Sequence, residues 1–333
     1  MREFDLLRHI YAANAGLPPR VTIPPGDDMG AVRLSGGGGE GGGARQDRDV
    51  LMTVDQVADG VHFDLRTTPL AKVGRKAITR NLSDVAAMAA KPVAAVAAAC
   101  LPRDFGEALA RELCDALRTT AAAYDCPLIG GDLAMWDHPL IVTVTILAEP
   151  WPGVAPVLRQ GAQVGDTIFV TGPLGGSLET VNGHTHHLDF EPRLEIARVL
   201  ASDPRTRPHC MIDLSDGLAR DLGHLLEAAG LTARLGPLPI SPAAEQAAAR
   251  DRRAAWEHAL GDGEDYELCF TVSRDAAALL QGSGSRPPAV QAEGVSLIPI
   301  GTVTGPSDGP RLTVALPDGT TRPVGDLGWE HRG

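Results

Sequence analysis

The residues with the clearest chemical potential are aspartates that recur at turns along the chain. In MIDLSDGLARDLGHLL, residues 211–226, an apolar run ends on Asp213, and Ser215 and Asp216 follow before a glycine turn. Apolar residues then recur at helical spacing, which predicts a helix over 217–229. Ser and Asp are favoured helix N-caps, and an acid in the first turn complements the helix dipole. Taken alone, this turn indicates a cap.

Similar acidic turns elsewhere in the sequence favour a site over simple capping. Asp27 and Asp28 follow Gly26, Asp55 follows Thr53-Val54, and the tripeptide Leu-Ser-Asp occurs at both 82–84 and 214–216. Clustered carboxylate oxygens suit Mg²⁺, which usually shares its coordination with substrate phosphates. The sequence therefore predicts a magnesium and phosphate site, in which each aspartate ends an apolar segment or a glycine turn. Its carboxylates are Asp28, Asp55, Asp84, Asp132, Asp213 and Asp216.

Charge and hydropathy exclude two classes of partner. The chain has 30 Lys+Arg against 42 Asp+Glu, a formal net charge of -12 at pH 7, which opposes binding to nucleic acid or an anionic membrane. The most apolar segment, 85–101, is broken by Lys91-Pro92 and predicts a buried helix and strand, not a membrane span. Five cysteines without paired C-x-x-C spacing, and no apolar signal region in MREFDLLRHI, favour the cytoplasm.

Length and patterning predict two domains. A chain of 333 residues exceeds the size at which one core usually stops growing. Helix and strand patterns alternate up to a Pro-rich boundary at 149–156, so we expect an α/β (α+β) fold with domains 1–150 and 151–333. Within the first half, LIGGDLA predicts a strand followed by a turn at its glycines.

Two segments of biased composition need a structural interpretation. The Gly-rich tract 35–49 lacks the fixed register and the final Lys or Ser/Thr of a phosphate loop, and it predicts a flexible linker between two strands. The segment GHTHHLDFEPR, 183–193, contains His184, His186 and His187, whose spacing does not share one helix face. It predicts a polar loop near the substrate entrance and not a transition-metal site.

The order of several motifs resembles that of the thiamine-monophosphate kinases. The similarity runs from about residue 3 to GWEH at 328–331, nearly the whole chain. This family belongs to a superfamily that includes aminoimidazole ribonucleotide synthetase, selenophosphate synthetase and a hydrogenase maturation protein. The motifs are GDDMGAV, GVHF, RKAITRNLSDVAAMAA, LIGGD, LRQGAQVGDTIFVTGPLG, IDLSDGLARDLGHLL and GEDYELCFTV.

The resemblance implies a fold, an assembly and an activity. The fold is the two-domain architecture of that superfamily, in which domain 1–150 binds ATP and Mg²⁺ and mediates homodimerisation, and domain 151–333 completes the phosphate and substrate site. The activity, in thiamine biosynthesis, is ATP-dependent phosphorylation of thiamine monophosphate to thiamine diphosphate with several Mg²⁺ ions.

The resemblance also implies roles for individual residues. Val54 stands where Thr is usual and can offer a metal only its carbonyl, and Asp262 replaces a usual Gly. A structural role stays open for His62 and for Trp329. Metal-binding positions are Asp28, Thr53, Val54, Asp55, Asp84, Asp132, Asp213 and Asp216; ATP-binding positions are Gly131, Asp132, Arg159 and Ser215; substrate-binding positions are His62, Glu264 and Trp329.

The chemistry of such a transfer needs no catalytic side chain. The acceptor is a phosphate monoester with a second pKa of about 6, so it is already anionic near neutral pH and needs no general base. The obstacle is repulsion between anions, which positioning and metal cations relieve in a direct in-line transfer.

Two alternatives stay open at this point. A sister synthetase would keep the metal-binding residues and use another acceptor. The first cysteine is Cys100 and the chain ends WEHRG, which disfavours the selenophosphate and hydrogenase members, while GEDYEL and GVHF favour the thiamine enzyme over aminoimidazole ribonucleotide synthetase. A non-catalytic nucleotide-binding homologue, suggested by Val54 and Asp262, would bind Mg-ATP without turnover.

Overall fold

The chain forms two compact units, each built on its own β-sheet. The computed structural model describes residues 3–14, 16–35, 47–282, 286–316, 318–325 and 327–330. The first unit comprises Glu3–Val85 and Ala90–Pro152, and the second comprises Ala86–Ala89 and the chain from Gly153 onward. Most of the Gly-rich tract predicted to be a linker lies outside the described residues.

A six-stranded mixed sheet forms the first unit, in the order β1-β2-β3-β6-β4-β5. Neighbouring strands are antiparallel except β4 and β5, which are parallel. The strands are β1 (Val21–Ile23), β2 (Gly30–Leu34), β3 (Arg48–Ala58), β4 (Ala90–Pro102), β5 (Leu128–Trp136) and β6 (Ile141–Pro150), and the helices are α1 (Glu3–Ala13), α2 (Leu70–Ala87) and α3 (Glu107–Ala123).

Strand alternation separates a buried from an open face in this sheet. Along β6, Val142, Val144 and Ile146 are fully buried while the residues between them are partly exposed, as the period of two requires. Edge strand β5 is different, because Leu133 and Met135 are both more than three-fifths exposed. The first unit therefore has an apolar surface that its own described helices leave uncovered.

A seven-stranded mixed sheet forms the second unit, in the order β10-β12-β7-β13-β11-β14-β15. Neighbouring strands of this sheet are antiparallel, except β11 and β14, which are parallel. The strands are β7 (Thr167–Val170), β10 (Cys210–Asp213), β11 (Thr232–Leu235), β12 (Leu268–Val272), β13 (Ile298–Thr304), β14 (Leu312–Ala315) and β15 (Thr321–Pro323), with a separate hairpin of β8 (Thr180–Val181) and β9 (His184–Thr185). The helices are α4 (His186–Asp189), α5 (Leu194–Ser202), α6 (Leu218–Ala229), α7 (Pro242–Ala248), α8 (Ala255–Gly261), α9 (Arg274–Gln281) and α10 (Pro288–Ala292).

Both faces of the second sheet are buried, in two separate hydrophobic clusters. On β7, Ile168 belongs to the cluster that includes Leu222 of α6, whereas the next residue, Phe169, belongs to the cluster that includes Leu200 of α5. The Phe169 ring also stacks on Phe270, with 5.5 Å between the ring centroids. Helices on both faces leave the ends of the central strands as the places where polar side chains can gather.

These sheets confirm the mixed α/β fold and correct several local expectations from the sequence. The glycines of LIGGD lie inside β5 and form no turn, and β4 continues through Lys91-Pro92. One Leu-Ser-Asp tripeptide lies in α2, whereas the other lies in the turn between β10 and α6, so the two are not a structural repeat. Arg48 and Asp49, placed in the linker, belong to β3. No helix among the described residues is both long and apolar enough to cross a membrane.

Candidate active site

The first unit brings two of the predicted metal-binding carboxylates together. Asp28, between β1 and β2, is buried, and a carboxylate oxygen of Asp28 and one of Asp84 on α2 lie within 4.8 Å of each other. The Thr53 hydroxyl on β3 donates a hydrogen bond to the Asp84 carboxylate. Two carboxylates this close repel each other unless a cation or a proton lies between them. These hard oxygen atoms fit Mg²⁺.

Successive side chains of β3 point to opposite faces of the sheet, which decides which of them can face Asp28 and Asp84. Thr53 is buried, and Asp55, two residues later, shares its face of the strand. Asp55 lies 3.5 Å from the Arg80 guanidinium on α2, one helical turn before Asp84. The Val54 side chain is 60% exposed on the opposite face, so only its backbone could serve a metal there.

The other predicted residues of the first unit lie on β5 and after β3. Gly131 has a packing role, because a Cβ at this position would lie 1.9 Å from the Ala97 carbonyl oxygen on β4. Its neighbour Asp132 is exposed and, among the described residues, lies outside the close group of carboxylates. The His62 ring nitrogen Nδ1 accepts a hydrogen bond from the Ala58 amide at 3.1 Å, which gives His62 a structural contact in the turn.

In the second unit, the DLSDG turn is shaped by an aspartate that sequence reasoning did not single out. Asp221, in the first turn of α6, accepts hydrogen bonds from the amides of Asp216 and Gly217, each at 3.0 Å. The capping alternative does not apply to Ser215 or Asp216, since α6 begins after Gly217 without a side-chain cap from either residue. Burial, with the nearby carboxylates of Asp216 and Asp213, raises the pKa of Asp221 well above its usual range.

Arg159 supplies positive charge near this turn. The Arg159 charge acts against the rise in the pKa of Asp221. Burial, assisted by the Arg159 charge, lowers the pKa of His224 to about 4. His224 is therefore neutral at neutral pH. The sequence predicted an ATP contact for Arg159, and the structure places its guanidinium within electrostatic range of the acidic turn.

Two predicted substrate-binding residues meet the same turn through their backbones. The Glu264 amide donates to the Ser215 carbonyl at 2.7 Å, and the Trp329 amide donates to the Asp216 carbonyl at 2.9 Å. Gly263 has φ 74°, and a Cβ there would lie 2.9 Å from the Ser215 carbonyl oxygen, so the close approach requires glycine. Within the second unit, the predicted metal-binding and ATP-binding residues of the DLSDG turn thus lie next to the predicted substrate-binding residues Glu264 and Trp329.

The unusual Asp262 has a structural task. Its carboxylate accepts from the Gly176 amide at 2.9 Å and pairs with Arg253 at 2.9 Å and with His258 at 2.8 Å. These partners compensate its charge, so Asp262 tethers the turn at Gly176.

The three histidines of the 183–193 segment have separate partners, and the segment is not the predicted polar loop, because it forms β9 and α4. His184 lies 3.4 Å from Asp189, His186 Nε2 donates to the Asp265 carbonyl at 2.6 Å, and His187 is buried. Within the described part of the chain, these histidines share no common metal-binding group.

The buried carboxyl group of Asp265 makes the stability of the protein depend on pH. Its Oδ1 accepts from the Gly175 amide at 2.8 Å, and within the described residues its Oδ2 is buried without a hydrogen-bond partner. Burial raises the pKa of Asp265 well above its usual range, with Glu267 and Asp262 adding to the rise. Because the folded-state pKa is the higher one, the stability contributed by the neutral acid is complete below about pH 4 and is lost as the pH rises through the folded-state pKa.

We therefore expect Asp265→Asn to raise Tm at pH 8 by about 2–4 °C, or about 1 kcal/mol, and to change Tm little at pH 4. Thermal melts of both proteins from pH 4 to pH 8 measure this difference. Asp115→Asn, at an exposed carboxylate of α3, is the control and should follow the unmodified protein at every pH. A lower Tm for Asp265→Asn at pH 8 would contradict the interpretation.

Comparison with known proteins defines the class of this chain. Residues 26–149 match the family model described as AIR synthase related protein, N-terminal domain. A solved structure titled AaThiL complexed with AMPPCP and TMP has a TM-score of 0.77 and 25% identity, and the match covers 99% of this chain and 97% of that one. Thiamine-monophosphate kinase from Stenotrophomonas maltophilia has a TM-score of 0.66 and 30% identity, with 95% and 96% covered. The chain thus has the fold of the AIR synthase-related class.

Curated relatives identify the particular family. The thiamine-monophosphate kinase of Rhodopirellula baltica is 39% identical over 270 residues, 80% of each chain. That of Haemophilus influenzae is 32% identical over 289 residues, 82% of each chain. The chain belongs to the thiamine-monophosphate kinase family, and the prediction from its motifs is confirmed.

Proposed function

We propose that the protein is a cytoplasmic homodimer that transfers the γ-phosphate of ATP to the phosphate of thiamine monophosphate by in-line displacement with Mg²⁺. The observation that carries the proposal is the pairing of Asp28 with Asp84, with the Thr53 hydroxyl on Asp84. Family membership supports the same reaction, since one relative was solved with AMPPCP and TMP.

The proposed metal-binding residues offer hard oxygen ligands. Asp28, Asp84 and Thr53 fit the hard-oxygen preference of Mg²⁺, and Asp213 and Asp216 would add carboxylates from the DLSDG turn. Bound Mg²⁺ supplies positive charge that offsets the repulsion between the two phosphate groups. Asp55, Asp132 and the Val54 carbonyl are further proposed members of this set.

The chain's own polar groups would position the nucleotide. Arg159 brings a permanent positive charge close to the acidic turn, and a guanidinium can bind phosphate oxygens through two parallel hydrogen bonds. Ser215 lies in that turn, and Gly131 and Asp132 complete the proposed ATP-binding set. His224 is neutral at neutral pH, so it adds no second positive charge beside Arg159. The acceptor phosphate is already ionised, so no residue has to remove a proton.

Glu264 and Trp329 would select the organic part of the acceptor. Thiamine monophosphate carries a cationic thiazolium and a flat aminopyrimidine with polar edges. The Glu264 side chain is 19% exposed and can meet a cation or a hydrogen-bond donor, while the 53% exposed Trp329 indole offers a face for cation–π contact. His62 is the third proposed substrate-binding residue, and its ring Nδ1 already accepts a hydrogen bond from the Ala58 amide.

Product analysis tests the reaction. Purified protein with Mg-ATP should release ADP and form thiamine diphosphate in equal amounts when thiamine monophosphate is present, and a chelator should stop both. Thiamine without its phosphate should be a poor acceptor. ADP release that is independent of the acceptor, or an absence of thiamine diphosphate, would overturn the proposal and favour a sister synthetase or a non-catalytic homologue.

The open apolar surface of the first unit supports the homodimer. Leu133 on β5 is 62% exposed, a position that a partner's sheet could cover. We expect Leu133→Asp to shift the protein from dimer to monomer, because a charge in an apolar interface loses solvation. Light scattering measures the mass. Leu109→Asp, at an exposed apolar residue of α3, should leave the mass unchanged, and equal masses for both variants would refute this interface.

A further inference from the structure

The segment 263–267, which carries Glu264, has an unusual backbone. Glu264 has φ 54° and Tyr266 has φ 49°, and both are non-glycine residues in the left-handed region. Such conformations persist only where surrounding structure fixes them. One side of the segment is held by the DLSDG turn, since the amides of Glu264 and Tyr266 donate to the Ser215 and Leu214 carbonyls at 2.7 and 2.8 Å.

The other side is held by residues 184–193, which we call the histidine segment. Its side chains contact four consecutive residues of 263–267, by hydrogen bonds, an ion pair and ring stacking. The contacts are His187 Nδ1 to Glu264 Oε2 at 3.1 Å, His186 Nε2 to the Asp265 carbonyl at 2.6 Å, Phe190 stacked on Tyr266 with 4.1 Å between centroids, and Arg193 to both carboxylate oxygens of Glu267 at 2.7 and 2.5 Å.

The Glu264 carboxylate is held at both oxygens. His187 Nδ1 lies at Oε2, and the Tyr266 hydroxyl donates to Oε1 at 3.4 Å. The His187 side chain is only 9% exposed against 19% for Glu264, so a ligand can reach the carboxylate more readily than the imidazole. The His187 amide donates to the Ser177 carbonyl at 3.0 Å, which fixes the backbone that carries the ring.

We infer that His187 is a positioning residue that fixes the orientation of the Glu264 carboxylate for recognition of the organic part of the acceptor. The inference rests on the proposed function, because it assigns His187 a task in that same site. A glutamate fixed before binding does not lose rotamer freedom when the ligand arrives, so its contact gives more affinity.

The geometry of the imidazole suggests a rescue variant. His187 contacts Glu264 through Nδ1, which is bonded to Cγ, and the amide nitrogen of asparagine is also bonded to Cγ. Asparagine can therefore donate from nearly the same place without a charge. Glutamine has its amide nitrogen one bond further out, in the position of Nε2, and cannot reproduce the contact.

Steady-state kinetics of His187→Ala, His187→Asn and His187→Gln in the full chain test the inference. We expect the Ala variant to raise KM for thiamine monophosphate about tenfold, or about 1.4 kcal/mol, with kcat and KM for ATP within about twofold. The Asn variant should recover most of this loss, and the Gln variant should resemble Ala. His184→Ala, in the same histidine segment with a side chain 60% exposed, is the matched control and should leave all constants unchanged.

Three outcomes would overturn the inference: an unchanged KM in the Ala variant, an equal rise of KM for both substrates, or an Asn variant as weak as Gln. A double-mutant cycle with His187→Ala and Glu264→Gln, measured by urea unfolding without ligands, separates this inference from the proposed function. The two changes should be clearly non-additive because the side chains are in contact. Non-additivity without turnover of thiamine monophosphate would count against the proposed function alone, while additivity would count against the role of His187.

Discussion

Replacing Asp84 with Asn is expected to lower turnover about 100-fold or more while the protein stays folded. The amide keeps the size of the side chain, and its oxygen can still accept the Thr53 hydrogen bond, but the negative charge proposed to bind Mg²⁺ is lost. A loss of this size corresponds to about 2.7 kcal/mol of transition-state stabilisation, within the range that a metal ion supplies. ADP release at saturating Mg²⁺ measures it. Asp213→Asn, the same change at the DLSDG turn, should also lower turnover.

A measurement of Tm distinguishes a variant that no longer binds the metal from one that no longer folds. Asp84→Asn removes a charge that lies close to Asp28, so its Tm without Mg²⁺ should equal or exceed that of the unmodified protein. Asp115→Asn, at a carboxylate 69% exposed on α3, is the control and should retain full turnover. Normal turnover of the Asp84 variant at saturating Mg²⁺ would show that the metal assignment is wrong.

Replacing Arg193 with Ala is expected to cost about 3–5 kcal/mol of the free energy of unfolding. Arg193 makes two parallel hydrogen bonds to Glu267, which is 1% exposed, and the Thr171 hydroxyl donates to the same carboxylate at 2.5 Å. Removing the guanidinium leaves a buried carboxylate that Thr171 alone cannot compensate. Urea unfolding measures the change.

Two variants make this prediction specific. Arg198→Ala removes an arginine of α5 whose ion pair with Glu195 is exposed, and such pairs contribute at most about 1 kcal/mol. Adding Glu267→Gln to Arg193→Ala should recover part of the loss, since the buried charge disappears with its partner. Equal costs for Arg193→Ala and Arg198→Ala would mean that the buried pair has no special role in stability.

Local patterns predicted the parts of this protein that depend on neighbours in sequence. The apolar run 140–149 predicts a buried strand, which the structure has as β6, and the amphipathic run 105–124 predicts a helix, which the structure has as α3. The motif order identified the family. Local preference was wrong at LIGGD, where pairing of β5 with β4 extends the strand through glycines that alone favour a turn, and where Gly131 meets Ala97. The preference of Ser and Asp for helix N-caps was also misleading at the α6 N-terminus. There Asp221, inside the helix, accepts the hydrogen bonds from the Asp216 and Gly217 amides.

The sequence by itself was therefore enough to identify the family, the acidic residues that are candidate metal ligands, and the helices and strands with strong periodicity. The tertiary structure alone decided which of these residues meet. Thr53 reaches Asp84 across 31 positions of sequence, and His186 reaches Asp265 across 79. Contacts at such separations follow from strand order and helix packing and leave no period in the sequence. The pairing of His187 with Glu264 could for the same reason be recognised only in the folded chain, where burial and hydrogen bonding fix both side chains.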